Sequence, residues 1–256
     1  MVKYLLKKSY QLKNLEEIKF KDLWGDHGVF TTMWVFGNPP KILFFNNHIN
    51  NLVKSCKAYS IKKSFIRSDI LKLLKKNLNP KKKYNHLLRI ALNKKIISIS
   101  IRKKLKLSSN FNLKLVNLKR QKPEFKNLKY KEILNYLSKL DNSKSDIGLC
   151  SNKKIYETGT SNILFVKNNI YYSPLKKFYK GITYKFFKSK IKKIYNKDIP
   201  ISSLNTYDEI ILIGSGKGVT SVKSIDQINW KRKSLNSFSK LLKYYKTAIS
   251  NCAKYR

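Results

Sequence analysis

Two glycine-containing stretches in the second half of the chain combine residue types that can bind a phosphate group. They read K-G-I-T-Y-K at 180–185 and G-S-G-K-G at 214–218. Phosphate needs backbone donors, which the N-terminus of a helix supplies, and glycine lets the ligand approach the backbone closely. The second stretch has neither the spacing of a nucleotide-binding Walker loop nor a G-x-G-x-x-G pattern. Both stretches are therefore candidates for binding phosphate in some other setting.

One carboxylate stands in a half-apolar stretch that reads I-Y-E-T-G-T-S-N-I-L-F-V at 155–166. Glu157 is one of only 14 acidic residues in the chain, so its position there is unusual. A carboxylate in such a place can accept charge-assisted hydrogen bonds from a protonated group of a ligand. The alternative is that the stretch is an ordinary turn at the end of a strand.

Hydrophobic periodicity predicts a mixture of helices and strands around these stretches. Residues 181–195 are predicted to form a helix from the first glycine stretch, and 208–215 a buried strand leading into the second. Residues 161–174 are predicted to form a hairpin that turns at Asn168 and Asn169, because asparagine tolerates a positive φ. The other predicted elements are helices over 46–60, 68–80, 130–140 and 237–252 and strands over 86–92, 96–102 and 112–120.

The pattern is interrupted within 103–123, which predicts two domains. The first domain, 1–115, is expected to place helices on an antiparallel sheet. The second domain, 116–256, is expected to carry most of the chemistry. With 42% apolar residues, the chain can bury a substantial core.

The formal net charge of +42 first suggests a nucleic-acid partner. The type of basic residue argues against that interpretation, since the chain has six arginines and fifty lysines. Nucleic-acid interfaces favour arginine, whose planar guanidinium grips phosphates and guanine edges at two points. The basic residues are also spread along the whole chain, so specific nucleic-acid binding is not expected.

Cysteines and histidines are too few and too scattered to predict a disulfide framework or a metal site. The three cysteines and three histidines are Cys56, Cys150, Cys252, His27, His48 and His86. No apolar run approaches the roughly 20 residues that span a bilayer, and the N-terminal segment has no signal-peptide core. The sequence therefore predicts a soluble, cytoplasmic protein without a metal.

Several short segments resemble, in order and spacing, the class IV aminotransferase-like enzymes, which depend on pyridoxal 5'-phosphate (PLP). The segment W-G-D-H-G-V-F-T-T at 24–32 is similar to the family's G-D-G-x-F-E-T, with Thr31 in place of glutamate. The segment P-E-F-K-N-L at 123–128 is similar to the surroundings of the family's Schiff-base lysine. The resemblance implies that Lys126 is the catalytic lysine, whose neutral amine joins the cofactor and then moves a proton.

The resemblance extends to the three stretches described first. The glutamate stretch is similar to the family's E-G-x-S-x-N-(I/L)-F, which implies that Glu157 bonds the pyridine nitrogen of PLP. The first glycine stretch resembles the family's G-(I/V)-T-R, and the second resembles its other phosphate-binding loop. The residues expected to hold the phosphate group are Ile182, Thr183, Ser215 and Gly216.

One segment departs from the family pattern. Where H-(L/I)-x-R-L is usual, the chain reads H-I-N-N-L at 48–52, so Asn51 replaces the phosphate-binding arginine. Asparagine can donate one hydrogen bond but cannot neutralise charge. Asn51 is still expected to bind the cofactor, with Lys54 as a candidate for the missing charge.

Two further residues are expected to bind the substrate. Arg89, in H-L-L-R-I-A-L, is predicted to pair with a substrate carboxylate from a strand, and the alternative is a surface residue at a strand edge. Thr31 is the second predicted substrate contact, because it stands where the family has glutamate.

The resemblance implies an α+β, two-domain class IV fold of the D-amino acid aminotransferase type, with PLP between the domains. The F-T-T variant and the S-G-K-G-V loop are similar to aminodeoxychorismate lyases. They predict an enzyme that releases pyruvate from 4-amino-4-deoxychorismate and forms 4-aminobenzoate for folate. The alternatives are a branched-chain or D-amino acid aminotransferase, and a basic binding protein that kept the fold without the chemistry. A homodimer acting on a small-molecule substrate, away from membranes, is also implied.

Overall fold

The computed structural model describes residues 4–62 and 64–255. The chain divides into two compact units, of which the first contains the segment with Lys126. The first unit comprises Met1–Lys104, Phe125–Lys131 and Asn251–Arg256, and the second comprises Leu105–Glu124 and Glu132–Ser250. The predicted domains, 1–115 and 116–256, have a different boundary and assign Lys126 to the C-terminal domain. That division stays a prediction about domains.

The first unit is built on an antiparallel sheet of six strands, in the order β2-β1-β6-β5-β3-β4. Its strands are β1 (Tyr4–Gln11), β2 (Glu17–Ile18), β3 (Gly28–Gly37), β4 (Lys41–Ile42), β5 (Tyr84–Asn93) and β6 (Ile96–Lys103). Its helices are α1 (Phe45–Ala58) and α2 (Ile66–Asn77). The predicted arrangement of helices on an antiparallel sheet is confirmed for this unit.

Helix α1 shows how the sequence specifies this packing. Ile49, Leu52 and Cys56 recur at helical spacing, and each is at most 2% exposed. They belong to one hydrophobic core with Val29 and Met33 of β3. The helix therefore covers one face of the sheet with its apolar side, as its periodicity predicts.

The second unit is built on a mixed sheet of nine strands. Its main order is β12-β11-β10-β13-β14-β7-β8-β9, and β15 pairs with β14. The strands are β7 (Phe111–Asn117), β8 (Ser145–Ser151), β9 (Lys154–Thr158), β10 (Asn162–Lys167), β11 (Ile170–Pro174), β12 (Ile194–Lys197), β13 (Glu209–Gly214), β14 (Gly218–Ile225) and β15 (Trp230–Lys231). The helices are α3 (Lys131–Ser138), α4 (Ile182–Lys190) and α5 (Asn236–Ser250).

The predicted hairpin forms between β10 and β11, and its turn has the expected backbone. Asn168 and Asn169 have φ values of 51° and 61°, the left-handed conformation that asparagine tolerates. Strand β13 is buried as predicted, since Ile210, Ile211 and Leu212 are each 0% exposed. These two elements carry the glutamate stretch and the second glycine stretch into the sheet.

The predicted helix over 181–195 is correct at its beginning and wrong at its end. Helix α4 ends at Lys190, and Ile194–Lys197 instead forms β12, a strand parallel to β11. The unpaired edge of β11 gives this segment a row of hydrogen-bond partners. Local periodicity cannot reveal that alternative, because the partner strand lies about 20 residues earlier.

Candidate functional site

Lys126 is fixed beside strand β3 by backbone hydrogen bonds within the first unit. The N–H of Phe30 donates to the carbonyl of Lys126 at 2.9 Å, and the N–H of Leu128 donates to that of Gly28 at 2.9 Å. An antiparallel bridge joins Val29 to the residue after the lysine. The segment that carries Lys126 is therefore held as an added edge of β3.

The surroundings of the Lys126 amine are aromatic and contain a neutral imidazole. Its Nζ lies 5.1 Å from the centre of the Phe30 ring. His48 is 4% exposed, and its Nδ1 lies 2.8 Å from Thr31 Oγ1. Burial, and secondly the positive charge of Lys126, lower the pKa of His48 to about 3. His48 is therefore uncharged at neutral pH.

Arg89 is placed in the middle of the sheet rather than at its edge. It lies on β5 at 9% exposure, and its guanidinium donates to the side chain and carbonyl of Asp22. The guanidinium also lies 4.3 Å from the ring of Trp24, which stacks on Tyr130 at 5.5 Å. The alternative of a strand-edge surface residue is wrong, and the pairing with a substrate carboxylate stays a prediction.

Asn51 lies on α1, three residues after His48, so the two share a face of the helix. Asn51 is half-buried, and its carbonyl accepts a hydrogen bond from Ser55 Oγ at 2.9 Å. Lys54 is exposed on the next turn. The structure thus places a neutral residue where the family pattern has a cation.

Glu157 belongs to the second unit, where it forms a buried ion pair. It is 6% exposed on β9, opposite Leu149 of β8. Arg120 Nε donates to its Oε1 at 2.9 Å, and the N–H of Tyr179 donates to its Oε2 at 3.3 Å. A carboxylate accepts hydrogen bonds at about four positions, so the chemistry of Glu157 suits a donor such as a protonated ring nitrogen.

Arg120 is a site residue that the sequence interpretation missed. Its guanidinium also donates to the carbonyl of Pro123, so both ends of the group are engaged. A signal was available, because arginine is rare in this chain and Arg120 stands in a run that otherwise uses lysine. A planar fork is required for contacts of this kind, which lysine cannot reproduce.

The start of helix α4 has the properties of an anion site. Thr183 is 2% exposed, and within residues 4–62 and 64–255 its Oγ1 has no hydrogen-bond partner. A side chain at Gly181 would begin 2.7 Å from Asn162 Oδ1, which accepts the N–H of Gly181 at 3.0 Å. A glycine is needed at this close approach, and no side chain caps the first turn. The amides of Ile182 and Thr183 are thus suited to a phosphate group.

The start of α4 is joined to Glu157 through hydrogen bonds within the second unit. Tyr179 donates its N–H to Glu157 and accepts a bond at its carbonyl from Asn162 Nδ2. The same Asn162 accepts the N–H of Gly181. Glu157 and the start of α4 are 25 residues apart in the sequence, and these hydrogen bonds connect them in the folded unit.

The second glycine stretch forms the tight connection from β13 to β14. Gly214 pairs with Gly218, and Ser215 and Gly216 are half-buried in the turn between them. Backbone N–H groups in such a turn can also bind an anion. The residues predicted to bind phosphate thus lie on two elements of one sheet-based unit.

Neither a metal site nor a membrane span is found among the residues that the structure describes. No cluster of three or more histidine, cysteine, aspartate or glutamate residues there could hold a metal ion. No helix there is both long enough and apolar enough to cross a bilayer.

Residues 28–225 match the sequence model of the family described as amino-transferase class IV. This match covers most of the chain and contains Lys126, Glu157 and both glycine stretches. The chain belongs to the class IV aminotransferase family. Members of this family are PLP-dependent enzymes, so the predicted fold class, the predicted cofactor and the prediction of an enzyme are confirmed. No curated protein matches the chain in sequence.

Solved structures of aminotransferases share this fold at low identity. A branched-chain aminotransferase from Thermoproteus uzoniensis, bound to norvaline, has a TM-score of 0.77 at 16% identity, with 93% of each chain covered. The branched-chain amino acid aminotransferase of Escherichia coli has a TM-score of 0.70 at 16% identity, with 92% of each chain covered. A hypothetical aminotransferase from Mycobacterium tuberculosis in a PLP-bound form has a TM-score of 0.71 at 12% identity, covering 95% of this chain and 99% of that chain.

Proposed function

We propose that this class IV family member is an aminodeoxychorismate lyase. It would convert 4-amino-4-deoxychorismate into 4-aminobenzoate and pyruvate, with Lys126 as the catalytic residue. The observation that carries the proposal is the pair of Thr31 and His48 beside Lys126. Thr31 stands where the family has glutamate, and its Oγ1 lies 2.8 Å from the buried imidazole.

The chemistry of the substrate explains why a neutral pair favours this reaction. 4-Amino-4-deoxychorismate carries two carboxylates, which an ionised glutamate at position 31 would repel. Thr31 with a neutral His48 removes that repulsion and offers a hydroxyl group for hydrogen bonding. A substrate with one carboxylate and an apolar side chain gains less from this change.

The roles of the second unit follow from its contacts. Glu157, held by Arg120, would bond the pyridine nitrogen, while Thr183 Oγ1 and the first amides of α4 would bind the phosphate group. Ser215 and Gly216 would supply further donors. The buried, unsatisfied Thr183 hydroxyl fits this assignment, since an acceptor oxygen of the phosphate would complete its hydrogen bonding.

The reaction can be written with every atom accounted for. Bound PLP supplies an electron-accepting ring that stabilises negative charge on the substrate carbon. Lys126 Nζ removes the proton from the ring carbon that bears the amine. The bond between the carbocycle and the enolpyruvyl oxygen would break as its electron pair leaves with the oxygen, and the carbocycle would become aromatic. The departing enolate would take up one proton at its methylene carbon to give pyruvate.

An amino acid aminotransferase is the second candidate. It is favoured by the branched-chain aminotransferases among the solved structures that share the fold. Tyr130 also stands four residues after Lys126, in a position similar to a tyrosine of branched-chain enzymes. Its ring packs against Trp24 and Phe30, which would place an apolar wall near an apolar substrate.

The two candidates differ in their need for an acceptor. Protein loaded with PLP would be incubated with 4-amino-4-deoxychorismate and no 2-oxo acid, and pyruvate and 4-aminobenzoate would be measured. Equal amounts of both products, absent with Lys126→Ala, would support the lyase. Turnover of L-leucine, L-isoleucine or D-alanine only with 2-oxoglutarate would support the aminotransferase. Neither activity in protein that binds PLP would contradict both.

A further inference from the structure

Asp146 is a fully buried carboxylate that none of the steps above uses. Its side chain on β8 is 0% exposed. Its Oδ2 accepts hydrogen bonds from Thr158 Oγ1 at 2.9 Å and Thr160 Oγ1 at 2.7 Å, and its Oδ1 accepts the N–H of Ile147 at 2.8 Å. Thr158 is the last residue of β9, directly after Glu157, and Thr160 lies in the turn that follows. Asp146 therefore fixes the end of the strand that carries Glu157.

Lys217 brings a buried positive charge to the same carboxylate. It lies in the turn from β13 to β14, directly after Ser215 and Gly216, and its side chain is only 8% exposed. Its Nζ lies 3.5 Å from Asp146 Oδ2 and 5.2 Å from the centre of the Phe111 ring. A lysine this buried needs a compensating charge, which Asp146 supplies.

The two turns joined by this pair also pack directly against each other. A side chain at Gly214 would begin 3.1 Å from Ser161 Oγ and 3.4 Å from Ser161 Cα. The neighbouring residues Asn162 and Ile213 pair across β10 and β13. A shift of either turn should therefore displace the other, because the interior is closely packed and has no free space to absorb the movement.

We infer that Asp146 and Lys217 form a positioning pair, which couples the turn after Glu157 to the β13–β14 turn and so sets the geometry of PLP binding. This inference rests on the proposed roles of Glu157, Ser215 and Gly216. Lys217 acts through its neighbours and does not itself need to contact the cofactor.

The test compares Lys217→Met with a matched variant at an exposed ion pair. Methionine is an unbranched side chain of similar length, so it fills much of the space of the buried Lys217 side chain and removes its charge. Lys154→Met removes the lysine of the pair with Asp198, whose side chains are 37% and 43% exposed. Lys217→Arg keeps the charge and should restore part of any loss. Asp146→Asn provides a second way to break the pair.

Two readouts separate positioning from simple structural support. Hydrogen–deuterium exchange on the apoprotein should show faster exchange at residues 158–161 in Lys217→Met, by about tenfold. A PLP titration should show about tenfold weaker binding, equivalent to about 1.4 kcal/mol, and a changed absorbance spectrum of bound PLP. Lys154→Met should behave as the wild-type protein in both readouts.

Each contrary result has a distinct meaning. Unchanged exchange at 158–161 in Lys217→Met would overturn the coupling, whether or not PLP binds. Faster exchange with unchanged PLP affinity and spectrum would overturn the positioning role. A wild-type protein that binds no PLP would instead refute the proposed function, while the exchange experiment would still decide whether the pair couples the two turns.

Discussion

Lys126 in the first unit and Glu157 in the second differ in the charge of the groups described around them. Lys126 lies beside an aromatic ring and an imidazole whose pKa is lowered to about 3, so its named neighbours are neutral. Glu157 is held by the guanidinium of Arg120 at 2.9 Å. The contacts described at Lys126 are with an aromatic ring and a neutral imidazole, whereas Glu157 is held in a buried ion pair.

This difference matches what each group has to do. A neutral imidazole beside Lys126 adds no second positive charge next to a lysine that must give and take a proton. A carboxylate that must keep a ring nitrogen protonated should stay ionised in every state, and a buried arginine serves that purpose. The predictions below test the two halves of this contrast.

The largest expected effect comes from removing the arginine of the second region. Arg120→Met would leave Glu157 buried without its cation and should lower the free energy of unfolding by about 3–5 kcal/mol. Denaturant unfolding of the apoprotein measures this change. Lys154→Met, at an exposed ion pair, is the control and should cause no measurable change. If Arg120→Met and Lys154→Met lower the free energy of unfolding equally, the buried Arg120–Glu157 pair contributes no more than an exposed ion pair, which would contradict this prediction.

Removing the charge of Glu157 should lower the rate of the reaction while largely preserving the structure around position 157. Glu157→Gln keeps the side-chain shape but cannot hold the pyridine nitrogen protonated, so kcat should fall by about 10²-fold at saturating PLP. Steady-state kinetics would measure it on whichever substrate the enzyme turns over. A kcat within twofold of wild type would mean that Glu157 has no electronic role.

The neutral imidazole of the first region should make the protein sensitive to acid. His48 has a pKa of about 3 when folded and an ordinary value of 6.5, so below pH 6.5 the unfolded chain binds the extra proton. This contribution to stability is complete above pH 6.5 and is lost progressively as the pH falls toward 3. From pH 7 to pH 5, the free energy of unfolding should fall by about 2 kcal/mol less in His48→Gln than in the wild-type protein.

The control for this effect is His27→Gln, at an exposed histidine just before β3. Chemical denaturation at pH 5 and pH 7 gives the two free energies for each variant. If His48→Gln loses as much stability on acidification as wild type, His48 is not the buried neutral group described above.

The smallest effect is expected at the start of α4. Thr183→Val removes a buried hydroxyl group with no partner in the described structure, so the apoprotein should be as stable as wild type or slightly more stable. PLP binding should weaken by about tenfold because one phosphate contact is lost. An unchanged PLP affinity would exclude Thr183 from the phosphate site. Thr206→Val, at an exposed threonine, is the matched control.

Periodicity predicted the helices and some of the strands because each of these buries one face locally, as α1 does with Ile49, Leu52 and Cys56. It failed at the end of α4, where a strand partner about 20 residues earlier decides the structure. Local motifs marked Lys126 and Glu157. The Arg120–Glu157 and Asp146–Lys217 pairs were not predicted, since they join residues 37 and 71 positions apart that only the folded sheet brings together.

The most direct test of the account is a PLP titration of the wild-type protein and Lys126→Ala, followed by absorbance before and after borohydride reduction. Wild-type protein should turn yellow, and mass spectrometry should find the cofactor fixed by borohydride on the peptide containing Lys126. Lys126→Ala should retain no covalent cofactor. A wild-type protein without covalent PLP, or a label on another lysine, would contradict the assignment of Lys126 and the mechanism built on it.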